Sequence, residues 1–187
     1  MVLFEYIVGF ITLYVSIFYL LLYFEKKGGI PDEARELKRF PLVSFIITAY
    51  NEEKNLASAM ESVLALDYPK QEIEAIVVDD GSTDDTLKAA RQFKQKNIVI
   101  LSKKNGGKAS ALNYGIKRAR GEFIATLDAD SIVERDSLKK MLALFDRGTM
   151  AVTSVIKVRE PKSFLEKLQR VEYLLTIFGR RLLSFLD

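Results

Sequence analysis

The chain contains no cysteine and no histidine. Without cysteine there are no disulfides and no thiolate nucleophiles; without histidine there is no imidazole base, and the usual zinc sites go with both. Any catalytic base must therefore be a carboxylate, or failing that Lys or Tyr. A large excess of one charge is missing as well. The 28 Lys and Arg against 25 Asp and Glu leave a formal net charge of +3, interspersed rather than blocked, which sets nucleic-acid binding aside. No GxGxxG fingerprint follows the first strand-like run, against a nicotinamide dehydrogenase. Nor is Lys103-Lys104-Asn105-Gly106-Gly107-Lys108 a Walker A loop, which needs Gly at 102 and Ser or Thr at 109, where the chain has Ser102 and Ala109.

What is present begins with a long apolar run. Ile7 to Phe24 carries no charge, and at about 1.5 Å of helical rise per residue it nearly spans a bilayer core of about 30 Å. With Val2 to Tyr6 added, the length suffices. Glu5 at its start and Tyr23-Phe24-Glu25 at its end do not make a cleavable signal, so residues 1–25 are expected to be a retained transmembrane anchor. Lys26 and Lys27 place everything downstream on the cytoplasmic side of the cell membrane by the positive-inside rule. A linker at 26–40, with Gly28, Gly29 and Pro31, leads to a globular region.

At 49% hydrophobic over 187 residues, the chain can bury one real core. Leu42–Thr48, Ile73–Asp79, Asn97–Ser102, Glu122–Asp128 and Met150–Val158 read as short strands, mostly too apolar to leave a face in water. Between them lie helical stripes at Leu56, Ala59, Met60, Val63 and Leu64; at Ala109, Leu112, Ile116 and Ala119; and at Leu138, Met141, Leu142 and Phe145. Alternation of strand and helix predicts right-handed crossovers and a mainly parallel sheet in a Rossmann-like α/β layer.

The chemistry is expected at the strand exits, where ligands bind in open α/β sheets. After the first strand, Asn51 is a plausible N-cap, Glu52 favours the positive end of the next helix, and Tyr50 can offer an aromatic face to a base. After the second come Asp79-Asp80-Gly81-Ser82-Thr83-Asp84-Asp85, where Ser82 and Asp85 have capping-box spacing. Capping does not explain Asp79 and Asp80, whose mutual repulsion calls for a nearby donor or cation. Asp128-Ala129-Asp130 closes the fourth strand. In extended backbone residues i and i+2 point the same way, so Asp128 and Asp130 can converge on one hard divalent cation such as Mg²⁺ or Mn²⁺. Gly106 and Gly107 expose backbone donors suited to phosphate, with Lys108 adding charge at a helix start. Lys103 and Lys104 read as a solvated turn.

Four blocks, Phe45–Glu53, Val77–Asp84, Asn105–Asn113 and Leu127–Ser131, together resemble glycosyltransferase family 2, of the GT-A fold, over roughly residues 41–160. The resemblance implies an inverting glycosyltransferase with a donor-binding GT-A domain at 41–160. Ala49, Tyr50, Asn51, Glu52 and Asp79 would contact the nucleoside of a nucleotide-sugar, a UDP-sugar above all, with Asp80 beside it. Lys108 would lie near the diphosphate. Asp128 and Asp130 would form the DxD motif and hold Mn²⁺ or Mg²⁺, Asp128 also facing the ribose.

The tail at 161–187, with Gln169-Arg170-Val171-Glu172-Tyr173 and Phe178-Gly179-Arg180-Arg181, is similar to membrane-bound processive synthases that make hyaluronan, chitin-like and poly-N-acetylglucosamine polymers. It also reads as an amphipathic helix able to pack or lie on a membrane. In that group a later acidic motif supplies the base, and a QxxRW motif holds donor and acceptor. The chain is expected to stop before both, so a glycan or lipid-linked acceptor, and a second chain carrying the missing half, are the implied partners. Asp136 and Glu134 look like first-turn helix residues rather than a base. The other readings are a polyprenyl-phosphate sugar transferase and a non-catalytic nucleotide-binding subunit of a split synthase.

Overall fold

The computed structural model describes residues 2–26, 37, 39–93, 95–146 and 148–183. Most of the expected linker, including Gly28, Gly29, Pro31 and Lys27, lies outside them. The chain divides into two compact units, one of Met1–Glu33 with Thr153–Asp187 and the other of Ala34–Val152.

Within Ala34–Val152, four strands alternate with helices: β1 (Val43–Ala49), α2 (Leu56–Leu64), β2 (Ile73–Asp79), α3 (Thr86–Ala90), β3 (Ile98–Ser102), α4 (Lys108–Ile116), β4 (Phe123–Asp128) and α5 (Ser137–Leu142). All three strand pairings are parallel, in the order β3-β2-β1-β4. The chain walks outward from β1 to β3 and then crosses back to lay β4 on the other side of β1. The order reverses between β1 and β4, and their carboxyl ends, where Thr48 is in register with Asp128, mark the switch point at which such sheets bind ligands.

Side-chain alternation sorts the core into two layers. Phe45, Ile47, Ala75 and Val77 face one side of the sheet and pack with Leu56, Met60 and Val63 of α2 and Leu138 and Leu142 of α5. Ile46, Ile76 and Val78 face the other side, against Ala111 of α4. The α2 stripe matches its spacing. The α4 stripe matches only in part: Leu112 and Ala119 pack against this layer, but the buried positions of the helix are Ala111 and Gly115, while Ala109 and Ile116 are exposed. A Cβ on Gly115 would lie 2.7 Å from Ile46 Cγ2 and 3.1 Å from Val78 Cγ2, so the helix sits on the sheet through its smallest residues.

Two strand expectations need correction. Only β1 and β2 are buried on both faces; β4 alternates, leaving Ile124, Thr126 and Asp128 exposed at the sheet edge. Met150–Val158 forms no strand. No ladder partner is present among the described residues, and Met150 is 97% exposed; β-propensity without a neighbour to pair with does not hold an extended run.

At the amino ends of the strands, Glu74 is buried but fully satisfied. It accepts from Ser44 Oγ at 2.6 Å, from the Arg120 backbone N–H at 3.0 Å and from Arg120 Nε at 2.7 Å. Burial pushes its carboxyl up, but these donors outweigh it and hold it below the ordinary glutamate value. The cluster ties β1, β2 and the segment leading into β4 together at the end away from the strand exits.

In the other unit, α1 (Val2–Lys26) is apolar all round, and its stretch Leu3–Glu25 has the length and composition of a membrane-crossing helix, with none of it buried. The amphipathic α6 (Phe164–Leu183) opens on a capping box. The Ser163 backbone N–H donates to Glu166 Oε2 at 3.1 Å, and the Glu166 N–H donates to Ser163 Oγ at 3.2 Å.

Candidate active site

Tyr50 to Asn55 leave β1, and Asp80 to Asp85 leave β2, as two loops cross-linked to each other. Asn51 takes a left-handed backbone, φ 55°, which a short polar side chain tolerates better than most. Its N–H donates to Ser82 Oγ at 3.0 Å and its Oδ1 accepts from the Thr83 N–H at 2.8 Å. The Glu52 N–H donates to Thr86 Oγ1 at 2.7 Å, and Glu53 Oε2 accepts from the Asp85 N–H at 3.2 Å. Two expected caps are thereby corrected. The N-cap position of α2 is Asn55, not Asn51, and Ser82 spends its hydroxyl on the neighbouring loop rather than on a capping box with Asp85. Spacing along the chain cannot reveal a bond to a loop 31 residues away.

The adjacent carboxylates Asp79 and Asp80 are both buried, and each has its own donors. Asp79 accepts from the Ser82 N–H at 3.1 Å and from Ser102 Oγ at 2.9 Å. Asp80, 3% exposed, accepts from Lys103 Nζ at 2.5 Å, from the Gly106 N–H at 3.1 Å and from the Gly107 N–H at 2.7 Å. Burial raises the Asp80 carboxyl, but the Lys103 ammonium and the two glycine N–H groups more than offset it, leaving it below the usual carboxylate range. Lys103 is thus no solvated turn residue but the counter-ion of a buried acid. The backbone donors of Gly106 and Gly107, expected to face phosphate, are taken by Asp80. Gly81 permits this closure: its φ is +75°, and a Cβ there would lie 2.7 Å from the Asn105 backbone nitrogen.

At the far side of the switch point, Asp128 ends β4 and pairs with Lys108 at 2.5 Å. A cation in the first turn of a helix is opposed by the helix dipole, and the Asp128 carboxylate offsets that. The strand stops at Asp128. A turn follows, closed by the Ser131 N–H donating to the Asp128 carbonyl at 3.0 Å, with Ala129 packed into the core. The turn, rather than the pleat of an extended strand, brings Asp130 to the same side as Asp128. Ser131 Oγ donates to Asp130 Oδ1 at 3.2 Å.

These elements enclose a cleft of about 340 Å³. Of the residues singled out from the sequence, Ala49, Tyr50, Glu52, Asp80, Lys108, Asp128 and Asp130 line it. Asn51 and Asp79 do not; they brace the loops behind it. Thr48, Asn105, Gly107, Ala111 and Ala129 line it as well. Gly107 and Asn105 carry a sequence signal, the glycine turn before a helix, whereas Ala111 has none. Among the described residues no three Asp or Glu side chains cluster as a ready-made metal cage. Two rim carboxylates do suit a hard cation that takes its remaining oxygens from phosphate and water.

The Glycosyl transferase family 2 pattern matches residues 44–186. The chain belongs to glycosyltransferase family 2. Over 135 residues, 70% of its length, it is 38% identical to a poly-beta-1,6-N-acetyl-D-glucosamine synthase of Staphylococcus aureus, and 37% identical to that of Staphylococcus epidermidis. The match covers 32% of those proteins, so the chain spans about a third of the length of the curated relatives it matches.

Among solved structures, a mannosyltransferase from Pyrobaculum calidifontis in complex with GDP-Man and Mn²⁺ superposes with a TM-score of 0.64 at 29% identity, over 79% of this chain and 46% of that one. TarS 1–349 of S. aureus in complex with UDP-GlcNAc does so with a TM-score of 0.52 at 35% identity, over 55% and 30%. The parallel sheet with helices on both faces is the GT-A-like arrangement of this family.

Proposed function

We propose that this chain forms the donor-binding region of a membrane-anchored, inverting glycosyltransferase that moves a sugar from a nucleotide-sugar to a glycan acceptor. The observation that carries the reading is the meeting of Ala49, Asp80, Lys108, Asp128 and Asp130 around one cleft at the switch point of the sheet. The similar structures named with GDP-Man and with UDP-GlcNAc support a nucleotide-sugar there, and those named with UDP and UDP-GlcNAc support UDP as the nucleotide carrier. Tyr50, 49% exposed at the rim, offers a face to the base. Glu52 and Asp80 supply acceptors for the nucleoside, while Asn51 and Asp79 hold the loops that present them. Lys108, balanced by Asp128, has its ammonium beside the position of the diphosphate.

Asp128 and Asp130 would hold Mn²⁺ or Mg²⁺, which when bound would supply Lewis-acid stabilisation of the departing nucleoside diphosphate. No cleft residue is assigned as the base. Asp80 and Asp128 are committed to ion pairs, and Asp136, at the N-cap position of α5, is paired with Lys140 at 2.5 Å. As the family resemblance implies, the acceptor hydroxyl is activated by a later acidic motif outside these 187 residues, in the same or another chain.

We keep the division into an anchor at 1–25, a linker at 26–40, the donor domain at 41–160 and the tail at 161–187, with the domain on the cytoplasmic side. The test is titration with UDP- and GDP-linked nucleotides, with and without Mn²⁺. A nucleoside diphosphate should bind more tightly with the metal, and Asp130→Ala should remove that gain while leaving the fold intact. Metal dependence surviving in Asp130→Ala would refute the ligand assignment. Purified chain alone should transfer sugar poorly.

A further inference from the structure

Between β3 and the first turn of α4, two lysines pair with carboxylates of the cleft, and they are held very differently. Lys103 closes over Asp80 in a pair mostly withdrawn from water. Lys108 reaches Asp128 across open surface, the two side chains 65% and 53% exposed. Exposed pairs of this kind are weak, worth on the order of a few-fold in an equilibrium constant. The helix does not hold Lys108 either, since it is the first residue of α4 and stands beside the positive end of the dipole. The Lys108 side chain can therefore change partners where that of Lys103 cannot.

Asp128 is claimed twice. Its Oδ1 takes the Lys108 ammonium at 2.5 Å, and it is one of the two rim carboxylates suited to a hard divalent cation. The other, Asp130, has Ser131 Oγ as a donor and no ion pair among the described residues. An ammonium and a divalent cation on one carboxylate repel each other, so Asp128 serves one of them at a time. Lys108, Asp128 and Asp130 all line the same cleft, and there the lysine has a second anion to turn to, the diphosphate of the nucleotide.

We propose that Lys108 is an exchanging counter-ion. Its ammonium holds Asp128 until a diphosphate enters, then moves to the phosphate and leaves both carboxylates to the cation. Each ligand thereby prepares the cleft for the other, a positive coupling carried by one side chain. The lysine opposes the metal when the metal comes alone and works with it when the nucleotide is present. The proposal rests on the reading of Asp128 and Asp130 as cation ligands and adds what governs their availability.

The test compares the parent with Lys108→Gln and Lys108→Met, neutral side chains that a helix accepts well, as full chains in detergent at fixed ionic strength. Free Mn²⁺ is counted by its electron paramagnetic resonance signal, with and without saturating UDP and after allowance for the Mn²⁺–UDP complex formed in solution. For Mn²⁺ alone, both variants should bind about threefold more tightly than the parent, the size expected when an exposed competing pair is lost. The factor by which UDP tightens Mn²⁺ should fall by about the same threefold, and UDP without metal should bind the variants more weakly than the parent.

Variants that bind Mn²⁺ alone no more tightly than the parent would show that Lys108 does not compete for Asp128, and overturn the proposal. So would a gain of equal size with and without UDP, which a distant positive charge gives without any change of partner. Asp130→Ala separates the proposal from the reading beneath it. Mn²⁺ binding that survives this substitution removes the cation site and the exchange with it. Binding lost in Asp130→Ala but unchanged in the Lys108 variants keeps the site and strikes the exchange alone.

Discussion

Three donors converge on the carboxylate of Asp80: one ammonium and two glycine N–H groups. Replacing it by Asn removes the charge that Lys103 answers and leaves buried donors badly matched, a loss of about 1–3 kcal/mol for groups of this kind. Because the folded carboxyl is held below its unfolded value, its contribution is fully present above about pH 4 and fades as pH falls through the lower folded value. Asp80→Asn should therefore unfold at lower urea than the parent at pH 7, and the two midpoints should draw together below about pH 4. Midpoints that stay equally far apart at both pH values would assign the loss to packing. The two acidic pairs stand out in the sequence. That Asp80 would close on its own glycine loop does not, since Lys103 and Gly107 lie 23 and 27 positions away.

Between elements, the contact of α4 with the sheet is the most constrained. Ile46 and Val78, whose methyl groups face Gly115, are both fully buried, so neither can swing aside. Gly115→Val should cost about 1–3 kcal/mol through overpacking, more than the few tenths of a kcal/mol a helix gains on losing glycine for a β-branched residue. A lowered thermal midpoint would register it, and an unchanged one would mean that α4 can lift from the sheet. Stripe reading found α2, because large apolar side chains mark its buried face. On α4 it found Leu112 but missed the centre of the buried face, Ala111 and Gly115, whose value lies in being small.

For the whole molecule, both core layers and every residue lining the cleft fall within Ala34–Val152. A chain cut to residues 34–152 should thus bind a nucleoside diphosphate with Mn²⁺ within about threefold of the intact protein, a difference of about 0.7 kcal/mol. Isothermal titration of the two would show this, and a loss beyond tenfold would mean that residues outside that unit shape the site.

Periodicity and composition alone carry the parallel α/β class, the apolar N-terminal helix and the acidic strand exits, because each is local: a repeat of hydrophobicity, a run of uncharged residues, a carboxylate after a strand. Strand order is not local. Only the folded chain puts β4 beside β1, sets Asp128 level with Thr48 and gives Met150–Val158 no ladder partner among the described residues. The same holds for the bonds that staple Asn51 to Ser82 and Thr83, since pairing across a sheet or between loops depends on which surfaces meet, and sequence separation does not encode that.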